Sequence, residues 1–206
     1  MDFNRELDAL KHVSGQKSPH LMQLLTAFQH GDDFLLFFPL AQCSLKDCFK
    51  NGDHTGDLAY FKWTMEQLLG LAEGIHAIHG DAEKASTHLA VQPPTEDKIG
   101  YHHDLKPDNI LLWRDSGLAA IPFSNLEKRH GRLQISDFGL GRFREAATGS
   151  VSFNVKGTPT YAAPESKTQR SQSRPYDIWS FACIVIETLV WLLEGPEGLD
   201  NFIDQR

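Results

Sequence analysis

A chain of 206 residues is long enough for one domain with a sizeable core, and a hydrophobic share of 41% fits a globular chain. A formal charge of -7 argues against nucleic-acid binding as its main task. No run of about 20 apolar residues stands out and the start, Met1-Asp2-Phe3-Asn4-Arg5-Glu6, is acidic and polar, so no membrane span and no secretory signal are expected. Cys43, Cys48 and Cys183 lack metal-site spacing and an even count. They read as reduced thiols of an intracellular protein, cytoplasmic or nuclear.

Residues 5–13 have Leu7, Leu10 and Val13 at helical spacing, and Ser18-Pro19-His20 ends the pattern. Two apolar runs follow, Leu21 to Phe28 and Phe34 to Phe38, split by Gln29-His30-Gly31-Asp32-Asp33. Gly-Asp is hairpin chemistry, so two antiparallel strands are expected. Ser44 to Phe49 reads as a short helix, and Leu58 to His79 as a longer amphipathic one. His76 and His79 lie three apart on it, but no third ligand accompanies them. Asp81 to Gly100 is polar with Pro93-Pro94 in its middle and reads as a surface loop. A second loop, about Asp115 to Arg132, holds Glu127-Lys128-Arg129-His130, which reads as a solvated tip. Arg132 to Ser136 is strand-like. Ser180 to Leu193 is apolar on nearly every side and reads as a buried helix with Asp177 capping its start.

Chemistry concentrates in Tyr101-His102-His103-Asp104-Leu105-Lys106-Pro107-Asp108-Asn109-Ile110-Leu111-Leu112. Asp104, Lys106 and Asn109 stand at offsets 0, +2 and +5, a layout suited to moving a phosphoryl group onto a hydroxyl. The Asp can accept the hydroxyl proton, the Lys can neutralise phosphate charge and the Asn carbonyl can hold Mg²⁺. Three more motifs follow in order: Asp137-Phe138-Gly139, then Gly157 to Glu165 ending in Ala163-Pro164-Glu165, then Asp177-Ile178-Trp179-Ser180.

Together these motifs resemble the eukaryotic protein kinase domain, with His103 where the family has Arg and Ala182 where it has Gly. Phrases such as Phe37-Phe38-Pro39-Leu40-Ala41 are similar to kinase-like proteins of filamentous fungi. The resemblance implies an α+β, protein-kinase-like fold. Residues 1–38 would be a remnant of the small lobe (the family's helix αC plus a β-hairpin), 39–42 the hinge, and 43–206 a truncated, mainly helical large lobe running through helix αF. It implies Asp104, Lys106 and Thr158 as catalytic residues and Asn109 and Asp137 as Mg²⁺ ligands. It also implies contacts to ATP from the Pro39 carbonyl and the Ala41 N–H after a Phe38 gatekeeper, from Leu111, and from Glu6 through an ATP-binding Lys. Lys106 two residues after Asp104, with Thr158, resembles Ser/Thr rather than Tyr kinases. Thr148, Ser150 and Ser152 lie between Asp137 and Glu165 as available hydroxyls.

The chain contains neither the family's Gly-rich phosphate loop nor its V-A-I-K lysine, and is shorter than a complete kinase domain. It is therefore expected to be incomplete at both ends. The expected function is transfer of the ATP γ-phosphoryl group to Ser/Thr hydroxyls of proteins, impaired in this chain; the alternative is a non-catalytic kinase-like binding module. The expected partners are a protein substrate, and a protein covering apolar side chains of the last helix, among them Phe181, Ile184, Val185, Leu189, Trp191 and Leu192. No nucleic acid or membrane partner is expected.

Overall fold

A computed structural model describes residues 3–16, 18–52, 54–80, 98–115, 122–145, 157–168 and 174–205. The chain opens on helix α1 (Phe3–Gly15), whose Ala9, Leu10 and Val13 are buried. The side chain of Glu6 lies outside what the structure describes. Strands β1 (Thr26–His30) and β2 (Asp33–Phe37) form the expected antiparallel hairpin, with His30 opposite Asp33. Gly31 turns the chain at φ 62°. Strand β1 starts five residues later than its apolar run and β2 one residue earlier, and Phe28, Phe34, Leu35 and Phe37 are exposed.

Residues 38–42 lead to β3 (Cys43–Ser44) and helix α2 (Leu45–Asn51). The Gln42 N–H donates to the Leu112 carbonyl at 2.8 Å, fastening this connection to the large sheet. Helix α2 starts in a capping box, in which Ser44 and Asp47 satisfy each other's backbone N–H groups. Helix α3 (Leu58–His79) has the bounds read from the sequence. Asp57 accepts from the Ala59 and Tyr60 N–H groups at its start.

Strands β3, β5 (Ile110–Trp113) and β6 (Arg132–Ile135) form an antiparallel sheet in the order β3-β5-β6. Strand β4 (Lys98–Tyr101) pairs with β7 (Arg142–Glu145), Tyr101 opposite Arg142. These two strands flank the catalytic motifs, one entering the first and the other leaving the second. Nothing local predicts their pairing. Residues 81–97 of the first expected loop lie outside the described residues.

The second loop is a correction. Its charged cluster lies on helix α4 (Asn125–His130), with a capping box between Ser124 and Glu127; Lys128 and Arg129 are exposed as expected, but Glu127 is not. Glu127 is buried and its carboxylate accepts from Arg132 Nε at 2.6 Å and Nη2 at 3.0 Å. The Arg132 guanidinium also lies 4.2 Å from the centre of the Phe123 ring. A buried pair needs such complete hydrogen bonding to offset its desolvation.

Helix α5 (Arg174–Asp204) is longer than the apolar run implied and breaks at Gly195. Gly195 takes φ 74°, a conformation that strains residues with a Cβ, and Pro196 follows it. Asp177 is not its N-cap; it sits inside the first turn. Nor is the helix buried all round. Ile184, Trp191 and Leu192 are buried, whereas Ile178, Trp179, Ile186 and Leu193 are exposed. The core joins α1, α3, the three-stranded sheet and α5 through Leu10, Trp63, Leu71, Ile75, Ile110, Ile135 and Trp191. Each large apolar side chain buried there contributes roughly 1.5–3 kcal/mol.

Candidate active site

The four motifs meet in space. His102 to Leu105 form a loop after β4, and a short 3-10 turn, Pro107–Asn109, hands the chain to β5. His103 is held at φ 68° and Asp137 at φ 60°. Both are left-handed for non-glycine residues, a strain of order 1–3 kcal/mol that surrounding contacts must offset.

Asp177 supplies the contacts at His103. Its Oδ2 accepts from the His102 N–H and its Oδ1 from the His103 N–H, each at 2.8 Å. His79 Nε2 donates to Oδ2 at 2.9 Å from α3. Burial raises the Asp177 pKa, but these hydrogen bonds and the nearby His102 outweigh it and hold it below the ordinary value. His79 is the residue that sequence reasoning missed. Its spacing to His76 drew attention to a metal pair, and no local signal points to Asp177.

His102 ties the loop to the second motif. Its Nε2 donates to the Ser136 carbonyl at 2.8 Å, and its Nδ1 accepts from the Asp104 N–H at 3.3 Å. Its ring meets the buried Phe138 edge-on, with centroids 5.0 Å apart. Ser136 donates its N–H and its hydroxyl to the Asn109 carbonyl, both at 2.9 Å. Asn109 and Asp137 are thereby fixed relative to one another through Ser136.

Asp104, Lys106 and Thr158 form a closed triangle. Lys106 Nζ donates to Asp104 Oδ2 at 2.7 Å and to Thr158 Oγ1 at 3.0 Å. The Thr158 hydroxyl donates to Asp104 Oδ1 at 2.8 Å, and its N–H to the same oxygen at 3.1 Å. Burial raises the Asp104 pKa, but the hydrogen bonds from Lys106 and Thr158 win and keep it below the usual carboxylate value. Asp104 is therefore ionised at neutral pH and can accept a proton. Gly157 permits the approach of Thr158, since a Cβ there would lie 2.8 Å from the His103 carbonyl and 2.7 Å from the Tyr176 hydroxyl. The segment is latched to α5, where Tyr161 donates to Glu187 at 2.9 Å and Ser180 donates to the Tyr161 carbonyl at 2.8 Å.

The donor set fits a hard divalent cation. Asn109 Nδ2 donates to the Asp104 carbonyl at 2.8 Å, which turns the amide oxygen the other way. Asp137 is exposed, and its carboxylate also accepts from the Gly139 N–H at 3.3 Å. Among the described residues no group of three or more His, Cys, Asp or Glu could hold a metal. One carboxylate and one carboxamide suit Mg²⁺ that takes its remaining ligands from phosphate and water. The nucleotide-contact candidates lie on the connection and sheet beside this site. Pro39 is exposed, while Phe38, Ala41 and Leu111 are half-buried against the core. Thr148, Ser150 and Ser152 lie outside the described residues.

The family model for the protein kinase domain matches residues 1–193. The chain is 27% identical over 203 residues to the receptor protein kinase WSS1 of Oryza sativa subsp. japonica, covering 97% of this chain and 18% of that protein. It is 26% identical over 212 residues to the serine/threonine-protein kinase fray1 of Dictyostelium discoideum, covering 97% of this chain and 29% of that protein. With the serine/threonine-protein kinase fused of Drosophila melanogaster the identity is 26%, over 91% of this chain and 18% of that protein. The chain thus spans less than a third of the length of these curated relatives.

The comparisons correct one expectation. Relatives named as receptor kinases are among the matches, and α5 is long and apolar enough by length and composition to cross a bilayer. The reading of a cytoplasmic or nuclear chain without a membrane-spanning stretch is thereby overturned. The family match across 1–193 and the four motifs converging on Asp104 agree: the chain belongs to the protein kinase domain family.

Proposed function

We propose that this chain is the catalytic part of a Ser/Thr protein kinase, which transfers the ATP γ-phosphoryl group to a protein hydroxyl. The observation that carries this reading is the Asp104–Lys106–Thr158 triangle. Asp104 accepts the proton of the substrate hydroxyl. Lys106 places positive charge beside the moving phosphoryl group, and Thr158 holds both side chains in register. Asn109 and Asp137 would hold Mg²⁺, which would supply neutralisation of the charge on the nucleotide phosphates. The Pro39 carbonyl, the Ala41 N–H and Leu111 would contact the adenine of ATP, and Glu6 would pair an ATP-binding Lys of the small lobe. In this assignment residues 1–38 belong to the small lobe, 39–42 to the hinge and 43–206 to the large lobe. Ser/Thr preference rests on Lys106 and Thr158, and the serine/threonine kinases among the relatives support it. A protein partner on α5 would cover Ile178, Trp179, Ile186 and Leu193 rather than the expected Ile184, Trp191 and Leu192, which the chain's own core buries.

A second reading, a non-catalytic kinase-like binding module, is favoured by one observation. Asp137, the metal-ligand candidate of the second motif, is exposed. The test is Asp104→Asn in the full-length gene product. Peptide phosphorylation is expected to fall about 10²- to 10⁴-fold, with ATP affinity unchanged. Absence of peptide phosphorylation by the unmutated protein selects the binding module. Turnover above about a tenth of wild type in the variant excludes Asp104 as the base.

A further inference from the structure

Cys43 ends the connection from the hairpin, and Cys48 lies on α2, five residues later. Their sulfurs are 3.6 Å apart, in contact but unbonded. A disulfide needs about 2.05 Å, so closure brings the two sulfurs together by about 1.5 Å. The thiols line one cavity of about 420 Å³, together with Tyr60, Leu112, Arg114 and His130. Both are half-buried, so a small oxidant reaches them through that cavity. The mechanism above uses neither sulfur.

We propose that Cys43 and Cys48 are a redox pair, a modification site at the root of α2 that a peroxide converts to a disulfide. The Cys43 sulfur attacks one peroxide oxygen, the O–O bond breaks, and a sulfenic acid and one water form. The Cys48 sulfur then displaces the sulfenic oxygen as a second water and the S–S bond closes. Two thiols and one hydrogen peroxide thus give one disulfide and two waters, and thiol–disulfide exchange with a dithiol reverses the step. Burial, with Cys43 alongside, raises the Cys48 thiol above its ordinary value. The product closes a loop around the Ser44–Asp47 capping box and ties α2 to β3. Strand β3 pairs with Leu111 and Leu112, so the tie stiffens the segment that follows residues 38–42.

The pair is independent of the kinase reading, and so is its test. The unmutated chain is treated with hydrogen peroxide, the remaining thiols are alkylated, and peptides are mapped without reduction. Trypsin cuts after Lys46, between the two cysteines. A linked Cys43–Cys48 peptide is expected, with Cys183 still alkylated and dithiothreitol restoring all three thiols. Amide exchange across Leu45–Asn51 should slow on oxidation and recover on reduction, and Cys48→Ser should abolish the slowing. Cys43 over-oxidised to a sulfinic acid beside an alkylated Cys48, a disulfide joining two chains, or a linked peptide without slower exchange would each overturn the proposal. The mapping on the unmutated chain decides the linkage whether or not the Ser variant folds.

Discussion

The carboxylate of Asp177 accepts three hydrogen bonds while almost wholly buried, and two of them hold the backbone that His103 strains. His103 itself is buried against Tyr101 and Tyr176, with ring centroids 5.3 and 6.0 Å away. An Arg at this position would offer a forked, two-bond grip on a phosphorylated loop; an imidazole has no forked pair of donors and cannot make that grip. Phosphorylation of Thr148, Ser150 or Ser152 should therefore do little for activity. Changing all three to Ala in the full-length protein is expected to leave peptide turnover within about tenfold of wild type, about 1.4 kcal/mol in barrier. A larger loss, rescued by Glu at one of the three positions, would show that loop phosphorylation controls the enzyme.

At the scale of elements, α4 combines a local start signal with a charged surface. Glu127-Lys128-Arg129-His130 looks like a solvated tip, yet Ser124 and Glu127 have the spacing of a capping box, a signal that was available. What the sequence could not convey is that Arg132, on the next strand, folds back onto Glu127. Burial pushes the Glu127 carboxyl up, but hydrogen bonds from Arg132 and the Ser124 backbone outweigh it and bring the pKa down to about 2. The ordinary value of 4.5 belongs to the unfolded chain, so the folded state binds the proton more weakly. The stabilisation, on the order of 3 kcal/mol, is fully present above the ordinary value and is lost as pH falls toward the folded one. Glu127→Gln should lower the urea midpoint at pH 7, and the gap to wild type should narrow as pH falls from 5 toward about 2. A gap that stays constant with pH would mean that packing, not the carboxylate charge, is responsible.

For the molecule as a whole, the site is assembled on its large-sheet side and open at Asp137. Asn109 and Asp137 offer metal ligands, while the 206 residues carry no Gly-rich loop to cover phosphates. Mg-ATP should therefore bind this chain weakly. At 100 times its Kd a ligand stabilises by about 2.7 kcal/mol, so a thermal-shift titration with Mg-ATP reads the affinity directly. A shift appearing only at millimolar nucleotide, and lost in Asp137→Asn, is expected. A micromolar Kd would show that the triangle and metal ligands grip nucleotide without the missing parts.

The family, the order of the four motifs and the elements built from local periodicity were legible in the residues alone. Helix α3 and the β1–β2 hairpin are examples, because a 22-residue apolar stripe and a Gly-Asp turn are local signals. The motifs also named Asp104, Lys106, Asn109, Asp137 and Thr158 as the residues to watch. Only the tertiary structure decided how they are held. His79 and Asp177 lie 98 residues apart, Thr158 and Asp104 lie 54 apart, and β4 finds β7 across the whole catalytic segment. Which face of α5 is buried was equally out of reach. The helix is apolar nearly all round, so its pattern does not say which side meets the core; the packing of α2 and α3 against it does.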